Sequence, residues 1–232
     1  MRPTMCSQIR NNTFFDGIQD VVFDDLMKAA FLHRFPADLT LVTEGETADF
    51  AHILIEGRIE HFAEHDGSKT TLAIQGPPAV FPLDAVLCDD VGLTSVNTRE
   101  PSQVLMIPAE ALRSAVSRDQ ALARSALLSM ARGERDYMME VKNQKLRTSA
   151  ERIANLLLRQ HSLSEGNGRV LIPDDKRTLA ARLGMTPENL SRSFATLAQH
   201  GILLRGSEIW IKDIAKLTGF AKPSPLIDSM RI

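Results

Sequence analysis

The sequence is poor in cysteine: Cys6 and Cys88 are the two in 232 residues. They lie far apart, so one chain can form neither a disulfide framework nor a four-thiolate metal or iron–sulfur site. No signal-like segment opens the sequence, and no apolar run approaches the roughly 18 residues that a membrane span requires. We therefore expect a cytoplasmic protein that does not enter a membrane. Low-complexity tracts and internal repeats are also absent, which argues against a repeat architecture.

Motifs of catalysis are missing as well. The sequence contains no glycine-rich phosphate loop, no histidine and cysteine set at zinc-ligand spacing and no nucleophile elbow. We therefore expect that the protein is not an enzyme. The alternative is the regulatory subunit of an enzyme, and a gel shift would discriminate, because a DNA-binding regulator retards an operator fragment and an enzyme does not.

The chain has a small negative net charge, and the charge is distributed unevenly along the sequence. The formal net charge is −2, but residues 148–232 carry 12 Lys and Arg against 8 Asp and Glu, a net of +4. The remaining residues carry a net of −6. A basic C-terminal third is the modest electrostatic signature of a domain that approaches phosphates.

The first half of the chain reads as a helix followed by short strands. An amphipathic pattern predicts a helix from Asp20 to Ala30. Brief alternating segments follow, separated by turn signals at Gly45, Gly57, residues 65–68 and Gly76. Short strands at such spacing predict an antiparallel barrel or jelly roll.

After Pro108 the residue composition changes. Residues 109–161 are almost free of glycine and proline, and their pattern predicts helix throughout. Steps of three and four residues form a seam interrupted by Glu134 and Gln144, as in a coiled coil. The alternative is a helix packed on its own domain. We expect the helix to pair with that of a second copy through Ala123, Leu127, Met130, Tyr137 and Val141.

The stretch LGMTPENLSRSFATLAQHG, residues 183–201, predicts a tight turn and a capped helix. Leu179, Ala180 and Leu183 form the inward face of a first helix that Gly184 ends. Thr186 is the predicted N-cap of the second helix, Pro187 its first residue and Glu188 an acid in its first turn. Two helices joined so tightly form a helix-turn-helix, whose second helix enters the DNA major groove.

The second helix divides its side chains between two faces. Leu190, Phe194 and Leu197 are expected to face the core. Arginine binds guanine bidentately, glutamate accepts from cytosine and serine adapts to either partner. A hairpin turning at Gly206 and Ser207 follows as a wing. The predicted DNA-contacting side chains of the second helix and its cap are Thr186, Glu188, Asn189, Ser191 and Arg192. Lys176 and Arg177, in the first helix, are the predicted phosphate contacts.

The motif TPENLSR resembles the recognition helix of the Crp/Fnr family of transcription regulators. KNQKLRTSAERIANLLL, KRTLAARLGMTPENLSRSFATL and PSPLID resemble most its FtrB-like or HbaR-like branch. The resemblance implies an α+β protein: an effector-sensing, cyclic-nucleotide-binding-type β-roll over residues 1–116, a dimerisation helix over 117–147 and a winged helix-turn-helix over 148–232. It also implies a homodimer on double-stranded DNA, with RNA polymerase as a further partner.

The sequence departs from the relatives that bind cyclic AMP. Pro82 and Leu83 occupy the place of their ribose-binding Gly-Glu pair, and Leu93 and Thr94 that of their phosphate-binding Arg-Ser pair. We therefore expect no cyclic-nucleotide effector, because the cyclic phosphate would lose its guanidinium. Cysteine count excludes the iron–sulfur sensor of Fnr. No cofactor is expected, although haem, which some relatives use, stays open because no motif selects one of the six histidines as its axial ligand.

The resemblance places an apolar pocket where relatives have an ionic one. Apolar walls with a few hydroxyls suit a small molecule, and the likeness to HbaR suggests a small aromatic acid. The alternative is a pocket filled by its own side chains in a regulator without an effector. The expected lining comprises Phe81, Leu83, Leu93, Thr94 and Ser95 from the roll and Tyr137 and Met138 from the long helix.

Overall fold

The computed structural model describes residues 9–163, 168–172, 174–205 and 208–228, apart from the side chain of Arg205. The chain divides into two compact units, Met1–Glu134 and Arg135–Ile232. The boundary falls inside a long helix rather than in a loop. The domain limits expected from the sequence, at 116 and 147, remain a prediction.

The first unit is a β-roll flanked by helices. A short 3-10 helix, Thr13–Phe15, precedes helix α1, Asp20–Ala29, one residue shorter than the predicted helix. Helices α2 at Leu83–Cys88 and α3 at Ala109–Arg118 follow, and the unit ends within the long helix that comes next. The strands are β1 Phe31–Phe35, β2 Thr40–Val42, β3 Phe50–Glu56, β4 Ile59–His65, β5 Ser68–Gln75, β6 Ala79–Phe81, β7 Ser95–Thr98 and β8 Ser102–Pro108.

The strands form two antiparallel four-stranded sheets. Their orders are β1-β8-β3-β6 and β2-β7-β4-β5. Sequential neighbours are thus distributed between the sheets, as in a jelly roll rather than a simple meander. The strand-rich architecture expected for the first half of the chain is confirmed.

The first sheet has apolar side chains on both faces. Ile53 and Leu105 pack with helices α1 and α3 in one buried cluster. Leu54 and Val104, their neighbours along the strands, pack toward the second sheet in another cluster. Successive side chains of a strand point to opposite faces, so β3 and β8 contribute to both clusters.

The helical prediction for residues 109–161 was correct in type and wrong in continuity. Helix α4 spans Gln120–Leu146 and helix α5 spans Ser149–Leu163. Asp119 separates α3 from α4, where it accepts a hydrogen bond from the backbone N–H of Leu122 at 2.9 Å. Thr148 separates α4 from α5 and exchanges hydrogen bonds with Glu151 in a capping box. The sequence TSAE at 148–151 carried that signal.

The second unit contains the end of α4 and a compact helical domain. Helix α5 is followed by β9 Arg169–Val170, α6 Lys176–Arg182, α7 Pro187–Ala198, β10 Ile202–Arg205, β11 Glu208–Ile211, α8 Ile214–Ala221 and α9 Pro225–Asp228. Strands β10, β11 and β9 form an antiparallel sheet in that order. Helix α5 packs with α7 and α8 around buried Ile153 and Leu157. The predicted winged helix-turn-helix is confirmed, while the turn at Gly206 and Ser207 lies outside the described residues.

Two kinds of feature are absent from the described residues. No helix there is both long and apolar enough to cross a membrane. Within the same ranges, no cluster of three or more His, Cys, Asp or Glu side chains is arranged to hold a metal ion.

Candidate nucleic-acid interface and effector site

The turn before helix α7 has the geometry that its residues predict. Gly184 has a φ of +60°, which a side chain would disfavour. The hydroxyl oxygen of Thr186 accepts a hydrogen bond from the backbone N–H of Asn189 at 3.2 Å. Pro187 is the first helical residue, where the missing N–H costs nothing. Loss of such a cap costs about 1 kcal/mol, so Thr186 fixes where the helix begins.

The outer face of α7 presents the predicted base-reading side chains to solvent. Glu188 and Arg192 are both exposed. Arg192 donates to the side-chain oxygen of Asn189 at 2.6 Å. Hydrogen bonds from its own backbone N–H and from Thr186 lower the pKa of Glu188. The hydroxyl of Ser191 donates to the carbonyl of Pro187 at 3.0 Å. This face therefore combines an ionised acid with a guanidinium held one turn away.

The inner face of α7 is apolar with one exception. Leu190 and Leu197 are buried, and Phe194 packs partly buried against the same cluster. Ser193 is also buried, which the spacing of apolar residues did not indicate. The burial of this face leaves the opposite one free for a partner.

Helix α6 begins with its own cap. The carboxylate of Asp175 accepts from the backbone N–H groups of Arg177 and Thr178, each at 2.9 Å. Lys176 and Arg177 are exposed in the first turn. They are thus free to meet a phosphate.

A buried arginine joins three segments of the second unit. Arg152 donates to the carbonyl of Gln144, near the end of α4, at 3.1 Å and to that of Arg147 at 3.3 Å. It also donates to the carbonyl of Gly184 in the helix-turn-helix turn at 3.3 Å. Sequence reasoning missed this residue, because an arginine in an amphipathic helix usually faces solvent. The contacts tie the end of the long helix to the turn before the recognition helix.

A second link anchors the C-terminal helix. Arg147 donates two hydrogen bonds to the carboxylate of Asp228, at 2.6 and 2.5 Å. Asp228 also accepts from the backbone N–H of Ser224 at 2.8 Å. Its pKa is lowered: burial raises it, but the hydrogen bonds from Arg147 and Ser224 outweigh that effect. Helix α9 is thereby fixed to the junction of α4 and α5.

The predicted effector residues of the roll do not share one surface. Phe81 is buried between the sheets, whereas Leu83 begins α2 and packs in the cluster beneath the helices. Leu93 is 73% exposed. Ser95 is buried and its hydroxyl oxygen accepts from the backbone N–H of Glu44 at 3.0 Å. Thr94 is half-buried.

The remaining two predicted effector residues, Tyr137 and Met138, are exposed and belong to the second compact unit. A pocket shared by both units stays a prediction.

Two histidines that sequence reasoning did not single out lie inside the roll. His52 on β3 and His61 on β4 are buried. Burial lowers the pKa of His52 to about 4 and also lowers the pKa of His61. Both imidazoles are therefore neutral near pH 7. Only strand register could have shown that they face inward, since each lies on a short strand without a recognisable motif.

The predicted dimer seam of α4 is mostly exposed. Leu122 and Ala126 are buried in the core of the first unit. Half-buried Ala123 lies beside exposed residues of the same helix. The exposed members of the predicted seam are Leu127, Met130, Tyr137 and Val141.

Comparison with known families finds two domain models on this chain. A cyclic nucleotide-binding domain matches residues 32–119 and a Crp-like helix-turn-helix domain matches residues 151–220. Together they cover the roll and most of the second unit, in the order expected from the sequence.

Individual relatives agree with these matches. The chain is 24% identical over 214 residues to a CRP-like cAMP-activated global transcriptional regulator of Mycobacterium tuberculosis, covering 90% of this chain and 96% of the relative. A solved structure of a regulatory protein from Silicibacter pomeroyi DSS-3, with cAMP as its suggested ligand, is 26% identical with a TM-score of 0.56 and covers 96% and 100% of the two chains. A Crp/Fnr-family structure from Eubacterium rectale ATCC 33656 is similar in fold, with a TM-score of 0.74 at 16% identity, covering 90% and 98%.

The matched sensor-type domain, the matched helix-turn-helix domain and the similarity along nearly the whole chain lead to one assignment. The chain belongs to the Crp/Fnr family of DNA-binding transcription regulators.

Proposed function

We propose that the protein is a homodimeric regulator that reads an inverted-repeat operator through α7 and responds to a small effector other than a cyclic nucleotide. The observation that carries the DNA-reading part is the capped helix α7, which buries Leu190 and Leu197 and leaves Glu188 and Arg192 exposed. RNA polymerase is the expected partner of the DNA-bound dimer.

The exposed face of α4 supports the dimer. Its first turns bury Leu122 and Ala126 within the first unit, so that part of the helix packs on its own domain. Farther along, Leu127 is 68% and Tyr137 53% exposed. Apolar side chains repeated along one helix face are typical of a pairing surface. A second copy of the same helix would bury them.

The chemistry of α7 supports sequence-specific binding. Arg192 can donate two hydrogen bonds to O6 and N7 of guanine, and Glu188 can accept one from N4 of cytosine. The lowered pKa of Glu188 keeps it an acceptor at neutral pH. Similarity to Fnr-type regulators suggests a half-site close to TTGAT, whose G·C pair these two side chains would read.

The proposal excludes cyclic AMP because of Leu83 and Leu93. Leu83 is buried in an apolar cluster, so it offers no polar group to a ribose. Leu93 is exposed and cannot pair with a cyclic phosphate. Titration calorimetry with cyclic AMP should give no binding heat, and tight binding would show that this part of the proposal is wrong.

A haem-based sensor of the same family is the second candidate, favoured by one observation. His52 and His61 are buried imidazoles, each with one ring nitrogen that has no hydrogen-bond partner. A neutral imidazole nitrogen is the usual axial ligand of haem. Protein purified under native conditions would then show a Soret band.

A gel shift tests the proposal as a whole. A labelled fragment with two inverted TTGAT half-sites should be retarded, and a scrambled fragment of equal length should not. Arg192→Ala, which leaves the buried face of α7 intact, is the matched control. Equal retardation of both fragments by the unaltered protein would refute sequence-specific binding.

A further inference from the structure

The inner face of the first sheet carries a row of large side chains that crosses all four strands. Strand register aligns Phe31 of β1 with Met106 of β8, Met106 with His52 of β3, and His52 with Phe81 of β6. Phe31, at the edge of the sheet, is 52% exposed, while Phe81 is buried. The row therefore leads from solvent to the interior of the roll.

His61 meets this row from the other sheet. The ring of His52 stacks on Phe81 with centroids 5.1 Å apart and planes at 13°. The ring of His61 meets Phe81 edge-on, with centroids 6.1 Å apart. Nδ1 of His61 lies 3.4 Å from the hydroxyl oxygen of Thr94, a predicted effector residue. Two imidazoles thus flank one phenyl ring.

Each imidazole has one nitrogen without a hydrogen-bond partner. Nδ1 of His52 and Nε2 of His61 have none, although the two residues are only 5% and 7% exposed. A buried polar atom left without a partner is unfavourable, because it has given up its hydrogen bond to water. In folded proteins most buried polar atoms are paired, so each such nitrogen is a place where a bound molecule could supply the missing bond.

The charges around the pair are few. Burial lowers the pKa of His61 most, while a hydrogen bond with the side chain of Gln75 and, less strongly, the charge of Asp84 on α2 raise it. Hydrogen bonds to the backbone of Phe81 and Phe50 raise the pKa of His52, again less than burial lowers it.

The other titratable groups nearby lie elsewhere on the sheets. Glu60 is the neighbour of His61 along β4, so its side chain points to the opposite face, where Lys69 and Arg99 lie 3.7 and 3.6 Å from it. His33 lies exposed on β1. No fixed cation among these groups faces the two imidazoles, so they are the bases available to a buried acid.

We propose that His52 and His61 bind the acid group of a planar organic acid, whose ring packs on Phe81, and that binding takes up one proton. This inference rests on the proposed role of the roll as the sensor domain. It names the effector class and adds two residues to the site.

The proton follows from the cost of burying charge. A bare carboxylate between the sheets would be an unpaired buried anion, which is strongly unfavourable. Two arrangements avoid this cost. Either the carboxylate itself acquires a proton, or it pairs with an imidazole that acquires one, and in both cases binding adds no net charge to the buried site. Both arrangements take one proton from solvent per ligand, because the free histidines are neutral and the free acid is ionised near pH 7.

Calorimetric titration of the full-length protein with benzoate tests the inference, with benzamide as the uncharged probe of the same shape. One proton per ligand predicts that the benzoate Kd tightens about tenfold for each unit of pH decrease between about pH 8 and pH 6. The benzamide Kd should not change with pH. Absence of benzoate binding at millimolar concentration, or binding independent of pH, would overturn the inference.

Variants assign the effect to the two histidines. His52→Gln and His61→Gln keep a polar side chain but remove one imidazole base, so each should weaken benzoate binding at least tenfold at pH 6. His33→Gln, on the same sheet face but exposed, is the matched control and should bind as the unaltered protein does. Circular dichroism checks that each variant folds.

A benzoate titration that neither glutamine variant alters would contradict the inference, as would a Soret band that His52→Gln removes. Neither result affects DNA binding by α7, which the gel shift measures separately.

Discussion

Arg192 is the residue on which we expect sequence discrimination to depend most. It is exposed on α7 and its guanidinium is already oriented by Asn189. Arg192→Ala should remove about 1–3 kcal/mol of discrimination at one base pair. Fluorescence anisotropy with operator variants at each position would measure this loss.

Arg177 is the comparison for Arg192, because it is exposed in the first turn of the neighbouring helix. Arg177→Ala should weaken all sequences alike and reduce the slope of log K against log salt by about one. If Arg192→Ala lowered binding to operator and scrambled DNA equally, the proposed placement of α7 in the major groove would be wrong.

Tyr137, on the long helix, is the residue that the effector hypothesis places beside the ligand. It is exposed in the second unit and carries a hydroxyl. Tyr137→Phe should reduce the effect of the effector on operator binding and leave binding without effector unchanged. A tenfold to hundredfold effect corresponds to about 1.4–2.7 kcal/mol, which one hydroxyl contact and modest apolar burial can supply.

Native mass spectrometry would identify the ligand for this test, because it detects a small molecule that purifies with the protein. A response that stays the same after changes at Leu83, Leu93 and Tyr137 alike would place the effector elsewhere.

At the scale of elements, the sequence predicted the helix ends that are determined by residues within one turn of them. Gly184 and Thr186 act within one turn of their own positions, so the start of α7 could be derived residue by residue. Asp119 and Thr148 interrupt the predicted long helix by the same capping chemistry, which helical periodicity alone did not reveal. The inward direction of His52 depended on pairing with Met106, about a quarter of the chain away, and local patterns carry no such information.

Asp119 joins two elements and gives a pH-dependent prediction. Its carboxylate accepts from the backbone N–H of Gln19, before α1, and from that of Leu122, in α4, each at 2.9 Å. These bonds lower its pKa, that from Gln19 most. Asp119→Ala should therefore reduce the free energy of unfolding at pH 7 by about 1–2 kcal/mol.

The sign of the pH effect follows from the lowered pKa. The contribution is fully present above the unfolded-state pKa of about 4 and is lost as the pH falls through the lower pKa of the folded state. Urea unfolding should thus show that the free energies of unfolding of the unaltered protein and of Asp119→Ala differ less in strong acid than at pH 7. Asp20→Ala, which removes an exposed ion pair with Arg10, is the control and should cost less than about 0.5 kcal/mol. A constant Asp119→Ala effect at all pH values would contradict this account.

At the scale of the whole molecule, the central claim is that two copies read DNA together. The exposed residues of α4, Leu127 and Tyr137 among them, are those that a second copy would cover. Because closed dimers have a twofold axis, the two α7 helices should meet an inverted repeat. Neither the sequence nor one chain shows the partner, so pairing could be predicted only from the helical pattern and from the family resemblance.

Selection of binding sites from a randomised DNA library by the purified protein, followed by sequencing, tests that claim most directly. The account predicts an enriched inverted repeat whose half-site centres lie about 10 to 11 base pairs apart. It further predicts that Arg192→Ala relaxes one symmetric pair of positions. Enrichment of a single half-site, or none, by a protein that sedimentation shows to be monomeric at micromolar concentration would contradict it.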